Sequence, residues 1–335
     1  MDFLLKTPHI NPDADAVPSK NYDAELARDV MQGLAQTPKT LPSKYFYDAA
    51  GSKLFQQIMD LPEYYPTRTE FKILEEQKAE IANFFGLSDF FHLVELGAGD
   101  GLKTKILLQQ LLRQKAKFEY VPVDISGDIL QLLTKSLNTE MPDLKTDSFT
   151  GDYFKALHWL QKNKSGRKVV LFLGSNIGNF ETGGDLTFLK EIRKYLNPQD
   201  KVLVGFDLQK NPRVIRQAYD DATGVTAAFN LNLLKRLNKE LGADFNLHQF
   251  EHFTDYDPLN GVVKSFIVSK KQQTVTFSAL NHSVSFAAWE AIHTENSHKY
   301  SPMQIEELGK QAGFQTEQFF TDEKHYFADV LFRVI

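Results

Sequence analysis

The chain of 335 residues contains no cysteine. That absence excludes disulfides, zinc–thiolate sites, iron–sulfur clusters and a thiol nucleophile, and it fits a reducing compartment. Positive charge is not in excess either: 38 Lys and Arg stand against 43 Asp and Glu, a formal charge of −5, which leaves no broad cationic surface for nucleic acid. Long apolar runs are missing too. The most apolar stretches, such as Val169 to Leu173, have the length of a strand and fall far short of a membrane span. The opening Met1-Asp2-Phe3-Leu4-Leu5-Lys6 has neither the basic start nor the long apolar segment of a secretory signal. The expectation is a cytoplasmic protein with no nucleic-acid or membrane partner.

What is present is ordinary globular material, 42% hydrophobic and 24% charged. The length predicts two domains or one enlarged α/β domain. Pro8, Pro12 and Pro18 make the first twenty residues read as an extended arm. Helical patterns follow over Ala24 to Leu34, Gly51 to Met59 and Thr67 to Phe85, the last with Thr67 or Thr69 as its cap. From position 91 short apolar runs alternate with helical patterns. The runs are Phe91–Leu96, Phe118–Val123, Lys168–Leu173 and Val202–Phe206; the helices lie near 103–115, 127–137, 153–163 and 184–196. This alternation predicts a parallel, doubly wound sheet.

After Asp207 the alternation stops. A helical stretch from Pro212 to Leu241 precedes β-like segments Val262–Val268, Gln273–Phe277 and Ser283–Ala287. A capped helix from Ser301 to Gln311 then leads to strands Thr316–Phe320 and Phe327–Val334, too close in sequence to pair in parallel. The expected architecture is therefore discontinuous. Residues 71–211 and 297–335 form the sheet domain, and residues 1–70 and 212–296 form a second, α+β domain that binds the substrate, with a cleft between them.

The sharpest local signal is Glu95-Leu96-Gly97-Ala98-Gly99-Asp100-Gly101, a strand running into a glycine turn. Glycine there lets a ligand approach the backbone. The spacing misses the dinucleotide fingerprint, because Leu102 occupies its third glycine position, and it is not a Walker A loop. The string resembles the first motif of class I S-adenosylmethionine-dependent methyltransferases. Asp124 ends the second strand where a ribose-binding carboxylate is expected, and Asp152 follows the third strand region, where that class contacts adenine. An antiparallel last strand is a further trait of the class. Each acid also has a plain reading as a helix cap.

Further strings extend the likeness: Lys44-Tyr45-Phe46-Tyr47-Asp48, Leu61-Pro62-Glu63-Tyr64-Tyr65-Pro66-Thr67-Arg68, Gly174-Ser175-Asn176-Ile177-Gly178-Asn179, Gly205-Phe206-Asp207-Leu208, Ala218-Tyr219-Asp220-Asp221 and Thr294-Glu295-Asn296-Ser297-His298-Lys299-Tyr300. From about residue 23 to the end the chain resembles the histidine-specific S-adenosylmethionine methyltransferases, which include the ergothioneine-pathway enzymes that make hercynine. The resemblance implies S-adenosylmethionine as cofactor, S-adenosylhomocysteine as product and no metal. By motif, Tyr47, Gly97, Lys103, Asp124, Asp152 and Tyr153 fall on cofactor positions. Asn179 and Tyr219 fall on positions that hold the amino acid's carboxylate, Tyr64 lies beside the substrate, and Glu295 with Ser297 reads the imidazole. The last pair makes sense chemically, since two side chains two residues apart share one face of an extended segment and can hydrogen-bond both ring nitrogens. Tyr65 is read as interface packing.

The chain departs from the family's usual residues at Ser265, His293, Asn296 and His298, which bears on the accepted amino acid. The implied reaction is in-line displacement at the sulfonium methyl by the α-amine of a small amino acid, histidine by resemblance and carried to the trimethyl betaine. Tyr64, Asn179 and Tyr219 position the substrate, and no residue is singled out as a general base. The alternatives are a methyltransferase for another amino acid or small amine, and a cofactor-binding protein without turnover. A monomer is expected.

Overall fold

A computed structural model describes residues 23–335; the expected N-terminal arm lies outside them. The described chain opens with α1 (Ala24–Leu34), β1 (Lys39–Thr40), α2 (Ala49–Asp60) and α3 (Tyr65–Phe84). Asp23 starts α1 by accepting the amides of Glu25 and Leu26 at 2.8 and 3.2 Å. Pro66 lies in the first turn of α3, and its cap is Tyr64, without a side-chain bond, so neither Thr67 nor Thr69 caps this helix. A proline needs no amide partner in a first turn, which lets the helix begin two residues earlier than the threonines suggest.

The alternating region forms β2 (Phe91–Leu96), α4 (Thr104–Arg113), β3 (Phe118–Asp124), α5 (Gly127–Glu140), β4 (Phe149–Thr150), α6 (Tyr153–Asn163), β5 (Arg167–Phe172), α7 (Gly184–Arg193) and β6 (Lys201–Asp207). Next come α8 (Pro212–Tyr219), α9 (Val225–Leu241), β7 (Phe250–Asp257), β8 (Val262–Ser269), β9 (Gln273–Phe277), β10 (His282–Phe286) and β11 (Ala291–His298). The chain closes with α10 (Pro302–Gln311), β12 (Phe314–Thr321) and β13 (Phe327–Val334). The stretch expected to be helical from Pro212 to Leu241 is two helices. Asp221 accepts the amides of Val225 and Thr226 at 3.0 and 2.7 Å and so starts a new helix behind Gly224.

The seven-stranded sheet has the order β12-β13-β6-β5-β2-β3-β4. Strands β2 to β6 pair in parallel, and β13 is antiparallel to both β6 and β12. This is the Rossmann-like sheet of class I methyltransferases with its antiparallel last strand. Buried on both faces, its central strands are mostly apolar, with few polar residues such as His92 and Glu95 in β2. One face packs on Ile73, Leu74, Ile81, Leu107 and Leu111, the other on Leu157, Phe188, Leu189 and Ile305. The strand order reverses around β2 and β5, so the crevice at their carboxyl ends is the natural place for a ligand.

A third buried cluster joins the N-terminal helices to the inserted block, with Leu26, Val30, Phe46 and Ile58 against Phe229, Leu233, Leu237, Phe250, Ile267 and Ile292. Its sheet runs β1-β11-β8-β7. We propose this cluster as the core of the second domain. The sequence divisions at 70/71 and 296/297 fall inside α3 and β11, two elements that run continuously from one core toward the other.

Candidate active site

Between the two cores lies a cavity with about 650 Å³ of empty space, its open mouth included. Tyr64, Asn179, Tyr219, Glu295 and Ser297, expected around the acceptor, all line it, and so does Tyr47, expected at the cofactor. The pairings are specific. Asn179 Nδ2 donates to Glu295 Oε1 at 3.3 Å, and the hydroxyls of Tyr219 and Ser297 are 2.9 Å apart. Tyr64 sets its ring edgewise to Tyr219, centroids 6.2 Å apart, and Tyr47 stands edgewise to Phe55 and Phe229 at 5.6 and 5.7 Å, forming an aromatic wall.

Glu295 and Ser297 do share a face of β11. The strand carries an irregularity between His293 and Glu295, so that His293 pairs with Phe266 and Glu295 with Ser265, leaving Thr294 as the extra residue. Such a bulge re-aims the side chains that follow it. The Asn179 turn reaches this strand because residue 178 is glycine; a Cβ there would lie 2.8 Å from the carbonyl oxygen of His298. Burial raises the Glu295 carboxyl to about 7, with Lys299 acting in the opposite direction. Burial also raises the Tyr64 and Tyr219 hydroxyls well above their ordinary range, so both keep their protons.

Beneath the cavity is a charged cluster that the sequence reading did not single out. Asp207, buried at the end of β6, accepts from Lys299 at 2.8 Å, from Lys210, and from the Tyr65 hydroxyl at 2.9 Å. Burial alone would raise this carboxyl, but the two ammonium groups hold it below the usual carboxylate range. Tyr65 is thus a buried structural residue, as expected, bonded to a wall of the site. Ser175, in the left-handed region at φ 57°, accepts the Asp207 amide on its hydroxyl oxygen at 3.0 Å.

Of the cofactor positions, Gly97, Lys103, Asp124 and Tyr153 gather at the adjoining β2 turn. A Cβ on Gly97 would lie 3.1 Å from the Tyr153 hydroxyl, whereas one on Gly99, φ +54°, would enter open space with nothing within 4 Å. The Gly99 amide donates to Asp124 Oδ2 at 3.1 Å and the Ser126 amide to Oδ1 at 2.9 Å, which leaves both oxygens lone pairs for ribose hydroxyls. Lys103 pairs with the buried Glu70, whose other oxygen accepts the Gly174 amide at 2.6 Å, and so joins this turn to the cavity wall. Asp152 stands apart. Its Oδ1 caps α6 through the amides of Phe154 and Lys155, and Oδ2 pairs with the Lys155 ammonium at 2.9 Å. An open glycine cradle beside a carboxylate with spare acceptor capacity suits a nucleoside cofactor carrying a charged amino-acid tail.

A family model described as histidine-specific methyltransferase, SAM-dependent, matches residues 26–334. The chain belongs to that family. It is 40% identical over 297 residues to a histidine N-alpha-methyltransferase of Mycolicibacterium smegmatis, covering 89% of this chain and 91% of that one. The corresponding protein of Mycobacterium tuberculosis is 37% identical over 298 residues with the same coverage. Ergothioneine biosynthesis protein 1 of Neurospora crassa is 30% identical over 294 residues, 86% of this chain and 32% of that longer one. As a member of a methyltransferase family, this chain is an enzyme of that class. Among the described residues no helix is long and apolar enough to cross a membrane.

Of the four departures from the family's usual residues, His293 and Asn296 bond to each other at 3.1 Å, and Asn296 also donates to Glu181 at 3.0 Å. Neither they nor His298 lines the cavity; Ser265 does, directly across the strand pair from Glu295.

Proposed function

We propose that this methyltransferase methylates the α-amine of L-histidine and carries the product to the trimethyl betaine hercynine. The reading is carried by one observation: Glu295 and Ser297, a carboxyl and a hydroxyl on one face of β11, line the same cavity as Asn179 and Tyr219, which come from two other elements. This set offers hydrogen bonds to two ring nitrogens and to a carboxylate. The family match and the two histidine N-alpha-methyltransferase relatives support it.

In this reading Gly97 and Gly99 make room for the cofactor, Asp124 holds its ribose, and Lys103 faces its amino-acid end. When bound there, S-adenosylmethionine supplies the sulfonium methyl that the amine's lone pair takes. The protein's own contribution is placement and environment. Asn179 and Tyr219 fix the carboxylate, Glu295 and Ser297 fix the imidazole, and the amine between them is left facing the glycine turn. The aromatic wall of Tyr47, Phe55, Tyr64 and Phe229 excludes water and favours the neutral form of the amine, the only form with a free lone pair. No side chain is singled out as base: the amine's first proton, and one more after each of the first two transfers, passes to solvent before the next transfer.

A second reading, a bulkier amino-acid acceptor, is favoured by Ser265, whose small side chain leaves room opposite Glu295. Incubation with S-adenosylmethionine in excess and L-histidine, followed by mass spectrometry, tests the main one. Trimethylhistidine is the expected product. Accumulation of monomethylhistidine alone contradicts the betaine assignment, and unmodified histidine contradicts the substrate.

A further inference from the structure

The side chain of Lys299 is fully buried, and an ammonium has three protons to donate and no capacity to accept. All three are committed. One goes to Asp207 Oδ2 at 2.8 Å, one to the Tyr219 hydroxyl at 2.7 Å and one to the Ser297 hydroxyl at 2.8 Å. Both hydroxyl oxygens therefore act as acceptors toward Lys299. Between themselves, at 2.9 Å, they use one more proton. Two hydroxyls carry two protons, so one remains, and among the described residues neither hydroxyl has a further partner. Both line the cavity, so that proton is directed at whatever binds there.

We propose that Lys299 is a positioning residue that fixes Tyr219 as the hydrogen-bond donor to the carboxylate of the amino-acid acceptor. The proposal rests on the reading of the cavity as an amino-acid site. An anion beside Tyr219 selects one of the two possible orders: Ser297 donates to Tyr219, Tyr219 donates to the carboxylate, and the free lone pair of Ser297 is left to accept an N–H of the side chain. Charge acts in the same direction. Asp207 is flanked by two ammonium groups, Lys299 and Lys210, so the cluster under Tyr219 and Ser297 carries a net positive charge. A ligand with a carboxylate at one end is matched to that charge. Without Lys299, the hydroxyl protons turn back toward Asp207, and the pocket loses its donor.

The test compares L-histidine with histamine, which has the same imidazole and amine but no carboxylate. Calorimetric titration of the enzyme saturated with S-adenosylhomocysteine is carried out on the wild type and on Lys299→Met. The proposal predicts that the variant loses histidine affinity at least tenfold, about the loss of one charge-assisted hydrogen bond, while histamine and S-adenosylhomocysteine bind as before. Tyr219→Phe, which removes the donor and keeps the buried ion pair, reproduces the same histidine-only loss even where Lys299→Met does not fold. Equal weakening of histidine and histamine, or unchanged histidine binding in a folded Lys299→Met or in Tyr219→Phe, overturns the role of Lys299. A wild type that binds no histidine overturns instead the histidine reading beneath it.

Discussion

Asn179 and Glu295, 116 residues apart in sequence, meet at 3.3 Å, and that contact joins the methyltransferase sheet to the inserted strand β11. It puts one amide from the cofactor side and one carboxyl from the acceptor side into a single site. Removing the amide should therefore affect the acceptor more than the cofactor. Asn179→Ala is expected to raise KM for the acceptor by roughly 10- to 100-fold, the range for one hydrogen bond to a charged group. The dissociation constant for S-adenosylhomocysteine should stay within error. Equal losses in both constants, measured by steady-state kinetics and calorimetry, contradict this division of labour.

Glu295 couples function to stability. Burial raises its carboxyl to about 7, so in the folded protein it stays neutral over a range in which the unfolded chain ionises it. Stability is thus greatest below the unfolded-chain value and is lost as pH rises through about 7, by an amount of order 3–4 kcal/mol. Glu295→Gln removes that ionisation. Its melting temperature should exceed that of the wild type by a margin that grows from pH 5 to pH 8, while its histidine turnover falls. A margin independent of pH contradicts the assignment.

Gly99 separates the cofactor cradle from the fold. Alanine there takes on a left-handed backbone, costing roughly 1–2 kcal/mol, yet its methyl meets no protein atom within 4 Å. Gly99→Ala is expected to fold, to melt slightly lower, and to bind S-adenosylhomocysteine at least tenfold more weakly because the methyl fills the cradle. Unchanged cofactor affinity in calorimetry places the cofactor elsewhere.

Gly178 has the opposite character. A methyl there would lie 2.8 Å from the His298 carbonyl oxygen, so the turn carrying Asn179 must move off β11. Gly178→Ala should lose about 1–3 kcal/mol in denaturant titration, as overpacking does, together with most of its kcat/KM. Full activity contradicts the requirement for that close approach.

The central sheet was readable because strands buried on both faces are mostly apolar: β2 was expected over Phe91–Leu96 and lies there, with only His92 and Glu95 polar among its six residues. The closing antiparallel pair followed from its short connection. Strand β7 was not foreseen, because Phe250-Glu251-His252-Phe253-Thr254-Asp255-Tyr256-Asp257 is polar, half-exposed and without a clean alternation. The break between α8 and α9 had a local signal in Asp221 and Gly224, but the apolar period runs on across it. For the site, residues standing in distinctive strings came together in one cavity; Asp207 and Lys299 stand in such strings too, but nothing in them announced their pairing, and Glu70 lacked any signal. Their roles are set largely by burial and by partners distant in sequence, Lys103 for Glu70, Tyr65 for Asp207 and Tyr219 for Lys299, which lie 33, 142 and 80 residues away, and no local pattern encodes these. The bulge at Thr294 is likewise a property of pairing with β8 rather than of β11 alone.

The most direct test of the account is a competition: purified enzyme with S-adenosylmethionine and all twenty amino acids together, read by mass spectrometry, with Glu295→Ala in parallel. The account predicts that L-histidine alone gains methyl groups and that the variant loses this preference. Methylation of a different amino acid by the wild type, with histidine left untouched, contradicts it.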